Sequence, residues 1–268
     1  MSALRASGTC WFVELQPALP VRTPDTSGKP PRTRYAKIAA GAERGADRPD
    51  PVAHAKSLGY SEEELKAVPV EAVLSLGCGN AVARAGLRQG EIVLDLGSGG
   101  GLDAFLAAHR VGPTGRVIGV DATLEMVERA NENARKAHLE NVEFKHAPIE
   151  RLPLDDGSVD VAISNCVMNH CSDKQRAFAE VYRVLKVGGR MCLSDLVTAG
   201  TFSEAALKDE IWGAWLRAAQ SKSEYLRAIE QAGFLEVTVD GETAFPMAES
   251  DERLKGRIAS IWLTARKS

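Results

Sequence analysis

The segment from Ile92 to Gly101 restricts the fold more than any other part of the chain. Ile92-Val93-Leu94-Asp95-Leu96 is a largely apolar run, and Gly97-Ser98-Gly99-Gly100-Gly101 follows it directly. A run of that kind has the look of a central strand in a parallel sheet. Leu102 to Arg110 then reads as a helix closed by Gly112-Pro113. A glycine-rich turn between a strand and its helix lets a ligand approach the backbone closely, which is how doubly wound α/β sheets build their binding edge.

The rest of the chain repeats this alternation. Strands are expected at Val117–Asp121, Val142–Lys145, Val159–Ser164 and Arg190–Leu196, and helices at Glu125–Ala137 and at Lys174–Leu185, the latter ending at Gly188-Gly189. Units of about 20–30 residues predict right-handed crossovers and a doubly wound, mostly parallel sheet. Tyr225–Ile229 reads as helical. Glu236–Val239 and Ile258–Leu263 read as strands able to pair as an antiparallel edge. Ser61 to Glu64 has the form of a capping box at the start of a helix. Residues 17–34 hold five prolines and suit an extended or disordered leader.

Three details of the glycine loop indicate its ligand. Asp95 stands two residues before the first glycine, where it can hold an ammonium group and would repel a pyrophosphate. Leu102 occupies the position of the third glycine in the dinucleotide pattern. Asp121 ends the second strand about 20 residues on, where its carboxylate can accept from both ribose hydroxyls. Together they predict S-adenosylmethionine as cofactor, although Asp121 can equally cap the next helix. The candidate cofactor residues are Asp95, Gly97, Ser98, Gly99, Gly101, Asp121, Ala122, Met126, Ile149, Glu150 and Asn165. Glu150 is placed to accept the adenine amino hydrogens, or is a solvated acid. Asn165 ends the fourth strand, beside the expected methyl group.

Composition narrows the class. The 268 residues carry a net charge of −3, which gives no general attraction to nucleic acid or anionic membrane. No apolar run approaches the roughly 20 residues needed to span a bilayer, and no secretory signal is legible. Five cysteines, an odd number, suggest reduced thiols in the cytosol.

Ser75-Leu76-Gly77-Cys78-Gly79-Asn80, Leu94–Gly101, Arg110–Asp121 and Ile163-Ser164-Asn165-Cys166-Val167 together resemble the arsenite methyltransferase family, a group of class I methyltransferases. The resemblance runs from about Tyr35 to the C-terminus. It implies a Rossmann-like sheet, a small arsenical as substrate, and a thiol reductant such as glutathione or thioredoxin. By the same resemblance Cys78 and Cys166 are the catalytic residues that bind arsenic(III) as substrate, a soft centre suited to thiolates. Cys171 and His170 are accessory candidates, with loop or core roles as the alternative. Cys192, within the fifth strand, is read as a core residue, and Cys10 as incidental.

Two departures stand out. No cysteine occurs between Tyr35 and Asp50, and the family's third arsenic ligand corresponds here to Gly213-Ala214-Trp215. An external thiol, Cys171, or a substrate already bearing one methyl group would each resolve the second. The expected organisation is a leader at 1–34, a helical cap and cysteine loop at 35–84, a cofactor-binding core at 85–199, and a substrate-site and sheet-completing region at 200–268. Two other readings stay open: methylation of oxygen or carbon on an organic substrate, and a cofactor- or arsenic-binding protein with little turnover.

Overall fold

The computed structural model describes residues 35–36, 38–39, 50–74, 76–209 and 212–268. The expected leader at 1–34, Cys10 included, lies outside them.

Alternating apolar side chains send the central strands' residues to two faces of one sheet. The strands are β1 (Ile92–Leu96), β2 (Arg116–Asp121), β3 (Val142–His146), β4 (Val159–Asn165), β5 (Leu185–Thr198), β6 (Leu235–Ala244) and β7 (Ile258–Arg266). Their order is β3-β2-β1-β4-β5-β7-β6. The first five run parallel, and β7 and β6 complete the sheet antiparallel. The antiparallel edge expected from the sequence is therefore present.

The helices in chain order are α1 (Pro51–Ser57), α2 (Glu62–Lys66), α3 (Ala81–Arg84), α4 (Leu102–Val111), α5 (Leu124–Lys136), α6 (Lys174–Val184), α7 (Glu204–Leu207), α8 (Gly213–Ala218), α9 (Lys222–Gln231) and α10 (Pro246–Glu249). Val93, Val117, Val161 and Ile163 join Phe105 of α4 and Val127 and Ala130 of α5 in the core on one face. Leu94, Leu96, Ile118 and Val120 join Phe178 and Val181 of α6 and Tyr225 and Ile229 of α9 on the other. Ser61 caps α2 with the reciprocal Glu64 contact expected from the sequence.

The start of the fifth strand departs most from the sequence reading. The helix from Lys174 ends at Val184, one residue short of the expected Leu185, but β5 begins at Leu185 rather than Arg190. Leu185 pairs with Val159, yet Arg190 pairs with Val161, so the intervening residues bulge out of the ladder. Gly188 takes φ +79° there, and a Cβ on Gly189 would sit 2.8 Å from the Lys186 carbonyl. The two glycines thus belong to a bulge that re-enters the strand.

Strand order reverses between β1 and β4. In open α/β sheets ligands bind outside the carboxyl ends of the strands at such a switch point. Here Asp95, Asp121, Asn165 and Ser194 stand along that edge.

Candidate active site

A cleft of about 320 Å3 opens at the switch point, a volume within the usual range for small-ligand sites. The loop after β1 forms its floor. Gly97 has φ +68° and Gly99 φ +52°, a region where residues with a Cβ are strained. Nothing lies within 4 Å of where a Cβ on Gly99 would stand, so the backbone there is open to a ligand. Asn133 of α5 donates to the Gly100 carbonyl at 2.9 Å and anchors the turn from behind.

Three carboxylates surround this floor. Asp95 is 2% exposed, and its Oδ2 is buried without a hydrogen-bond partner. Burial, with the charges of Asp103 and Asp121, pushes its carboxyl well above the usual range. Burial also raises Asp121, against hydrogen bonds from the Thr123 and Gly99 N–H groups. Those N–H groups donate at 2.8 and 3.0 Å. Asp121 therefore does cap the turn into α5 while its carboxylate still lines the cleft. Burial lifts Asp103 to about 6, offset by hydrogen bonds from Tyr60 and Asn165. Two buried acids, Asp95 and Asp103, with the half-buried Asp121, form a site that a positively charged ligand would complete. That donor set, with the orphaned Asp95 oxygen and the buried, unpartnered Ser98 Oγ, fits an ammonium- and sulfonium-bearing ligand.

Of the sequence-predicted cofactor residues, Asp95, Gly97, Ser98, Gly99, Asp121, Ala122, Met126, Ile149, Glu150 and Asn165 all line the cleft. Gly101 stands behind it. A Cβ there would come within 2.7 Å of the Phe105 ring and 3.1 Å of Phe144, so this glycine serves helix–sheet packing. Glu150 already accepts from the Ser172 N–H at 2.9 Å and hydroxyl at 3.0 Å. His170 also lines the cleft, its Nε2 3.0 Å from the Tyr35 hydroxyl.

The cysteines converge beyond Asn165. Cys78 and Cys166 place their sulfurs, with one carboxylate oxygen of Asp195, all within 4.8 Å of one another. Cys166 lines the cleft, whereas Cys78 is 3% exposed and lies deeper. The backbone around both is tightly held. Asn165 Oδ1 accepts from the Cys78 N–H at 2.9 Å, and its Nδ2 donates to the Gly79 carbonyl. Ser260 donates to the Cys78 carbonyl at 2.7 Å. A Cβ on Gly77 would lie 2.6 Å from the Asn165 amide, and one on Gly79 2.1 Å from Ser194 Oγ. Glycine on each side is what lets the Cys78 loop pack closely against Asn165 of β4 and Ser194 of β5. Cys166 takes φ +62°, and its N–H donates to the Ser194 carbonyl at 2.7 Å. A strained, non-glycine backbone at a ligand edge commonly marks a functional position.

The Cys78 sulfur, together with burial, raises the Cys166 thiol well above its ordinary range. Cys171 lines the cleft but is not part of the three-residue cluster, and burial raises its thiol. Cys192 is a buried core residue, as read from the sequence. Phe202, Trp212, Trp215, Leu216 and Phe245 gather around Cys78 and Cys166 as an apolar wall. Gly213 and Trp215, in the stretch where the family's third thiol was expected, therefore lie in or beside an aromatic side of the site.

Several participants escaped the sequence reading. Tyr60 donates to Asp103 at 2.6 Å, and Asn165 donates to Tyr60 at 2.9 Å. Asp195 accepts from Asn169 and Tyr225, both at 2.9 Å. No spacing motif joins these residues, which meet only through the sheet.

This sheet order, with an acid before a glycine turn and a second acid closing β2, defines a class I methyltransferase. Residues 87–233 match the family model described as a methyltransferase domain. An arsenite methyltransferase of Halobacterium salinarum is 44% identical over 215 residues, covering 78% of this chain and 55% of that protein. The human arsenite methyltransferase is 37% identical over 153 residues, covering 53% of this chain and 40% of that protein. The crystal structure of an arsenic(III) S-adenosylmethionine methyltransferase from Chlamydomonas reinhardtii superposes with TM-score 0.60 at 32% identity, covering 82% of this chain and 74% of that one. The chain belongs to the arsenite S-adenosylmethionine methyltransferase family. It spans about half the length of these curated relatives. Among the described residues no helix is long and apolar enough to cross a membrane.

Proposed function

We propose that this chain transfers a methyl group from S-adenosylmethionine to trivalent arsenic held by Cys78 and Cys166. The observation that carries the reading is the pair of sulfurs within 4.8 Å of each other, directly beyond Asn165 on the cofactor edge. When bound, S-adenosylmethionine supplies an electrophilic methyl group on a positively charged sulfur.

This chain's residues do the rest. Asp95 offers its unpartnered oxygen to the ammonium group, and the Gly97–Gly99 backbone lies along the methionine moiety. Asp121 receives the ribose hydroxyls, while Met126, Ile149 and Glu150 flank the adenine. Asn165 holds the Gly77-Cys78-Gly79 loop in place, so that the Cys78 sulfur stays beside Cys166, which lines the cofactor cleft. Arsenic bound by both thiols keeps its lone pair free for an in-line displacement, a reaction favoured chiefly by positioning. The aromatic wall keeps water from the acceptor.

Each transfer oxidises arsenic by two electrons, so turnover needs a dithiol or two thiols as reductant, such as thioredoxin or glutathione. All four described cysteines are free thiols, as arsenic binding by Cys78 and Cys166 requires. Residues 85–199 act as the cofactor-binding core, 35–84 as its cap with the cysteine loop, and 200–268 as the substrate wall and sheet edge.

The test is product analysis by mass spectrometry, with arsenite or methylarsonite, glutathione and S-adenosylmethionine. Methylated arsenic in excess over a protein-free control supports the proposal. Cofactor binding with no methylated arsenical would refute it. An organic acceptor methylated at a rate independent of Cys78 and of added thiol would replace it with an oxygen- or carbon-methyltransferase.

A further inference from the structure

Trivalent arsenic takes three ligands, and the thiol cluster supplies two sulfurs. What stands beside them is a carboxylate. Asp195 is 1% exposed, and one of its oxygens lies within 4.8 Å of both sulfurs. Its hydrogen bonds leave a defined remainder. Oδ1 accepts from the Asn169 amide at 2.9 Å and from the Leu196 N–H at 2.8 Å. Oδ2 accepts from the Tyr225 hydroxyl at 2.9 Å. An ionised carboxylate offers about four acceptor positions, so one remains open, on Oδ2.

We infer that Asp195 is a specificity-determining residue. It accepts a hydrogen bond from the hydroxyl that remains on arsenic once Cys78 and Cys166 are bound, and so selects arsenite over methylarsonite. The inference rests on the arsenical reading above. Loading arsenite forms two As–S bonds and breaks two As–O bonds. Each thiol proton leaves with a departing hydroxide as water, which gives a neutral centre with two sulfurs and one hydroxyl. That loading step needs no oxidant, reductant or net proton transfer.

The alternatives fit the cluster less well. Among the described residues no third thiol joins it, since Cys171 lies outside the mutual 4.8 Å distance. Methylarsonite, once bound to both sulfurs, keeps a methyl group and no hydroxyl. It would set that methyl group against the acid and offer Oδ2 no donor beyond Tyr225, where the arsenite hydroxyl offers one. Tyr225, Asn169 and the Leu196 N–H hold the carboxylate at this point, and Tyr225 and Asn169 are both fully buried.

Two measurements test the inference. The first compares kcat/KM for arsenite and methylarsonite in the wild-type protein and in Asp195→Asn. The substitution keeps the size of the side chain and removes its charge. The arsenite value should fall at least about tenfold more than the methylarsonite value, in line with loss of a hydrogen bond to a charged group. Equal losses with both arsenicals would reduce Asp195 to a structural residue and overturn the inference alone. Product from neither arsenical in the wild type would overturn the arsenical reading, and this inference with it. The second measurement needs no variant and no turnover. Native mass spectrometry of the wild-type protein loaded with arsenite, without cofactor, should show one arsenic with one hydroxyl retained and two thiol hydrogens lost. When glutathione is added, the hydroxyl should persist. A glutathione adduct, or a third protein hydrogen lost with no hydroxyl retained, would overturn the inference.

Discussion

The cofactor cleft and the thiol cluster stand side by side and are built on opposite plans. At the cleft, backbone turns are rigid but side-chain polar atoms are left open, and Asp95 Oδ2 and Ser98 Oγ are buried without partners. At the thiols, the main chain is bonded from several sides by Asn165, Ser260 and the Ser194 carbonyl, and the surroundings are aromatic. The difference follows from the ligands. A cofactor that carries charge can be held by acids that are strained without it. On the proposed reading, a soft acceptor atom is held by two sulfurs, whose spacing the protein must fix in advance.

Asn165 joins the two regions, so its loss should have the largest effect. Asn165→Ala leaves the Cys78 N–H and the Gly79 carbonyl unpaired and removes a partner of Tyr60 and Asp103. We expect methyl transfer to fall on the order of 100-fold, the cost of misplacing a reacting group. Single-turnover rates check this. A change below threefold would mean that the sulfurs do not depend on this anchor.

Asp95→Asn separates the regions from the other side. Cofactor affinity should weaken roughly 10- to 100-fold, as for a hydrogen bond to a charged group, while arsenical binding persists. The ligand-free variant should also melt at a higher temperature, because the buried charge is gone. Calorimetry reads both effects, and a lower melting point with intact affinity would contradict the account.

Gly79→Ala probes the thiol side alone. Its Cβ would meet Ser194 Oγ and the Trp262 ring nitrogen, so about 1–3 kcal/mol of stability should be lost to overpacking. Arsenical binding should weaken while the cofactor dissociation constant stays within about twofold, a change too small to represent a lost hydrogen bond. Equilibrium denaturation and paired titrations check the pattern.

The smallest effect is the pH response. Burial raises the Asp95, Asp103 and Asp121 carboxyls in the folded protein. A group raised on folding contributes stability that is full below its unfolded pKa, about 4 for aspartate, and is lost as pH rises through its folded value. For Asp103 that window closes at about 6. These acids therefore favour the ligand-free fold at pH 5 over pH 7. Cofactor affinity should move the other way, weakening as protonation neutralises Asp95 and Asp121. Melting curves and titrations at several pH values test the opposed trends.

How much of this was legible in the sequence follows the same divide. The Asp95–Gly101 loop and Asp121 could be read because glycines and strand ends fix their geometry within about 30 residues. Cys78 and Cys166 were legible as motifs. The clamp around Cys78 was not, since Ser194 and Ser260 reach it only through the pairing of β5 with β7. Asp195 sat unnoticed inside an apolar strand, because its partners Asn169 and Tyr225 are distant in sequence. The start of β5 was misplaced because Gly188-Gly189 reads as a break before the strand, whereas here the pair makes a bulge within it.

The claim that joins both regions is that arsenic on Cys78 and Cys166 receives the methyl group. It is tested most directly by Cys78→Ser and Cys166→Ser, each assayed with methyl-labelled S-adenosylmethionine, arsenite and excess thiol. The account predicts labelled methylarsenicals from the wild-type protein and essentially none from either variant, with the cofactor bound normally by both. Labelled methylarsenicals formed at wild-type rates by either serine variant would contradict it.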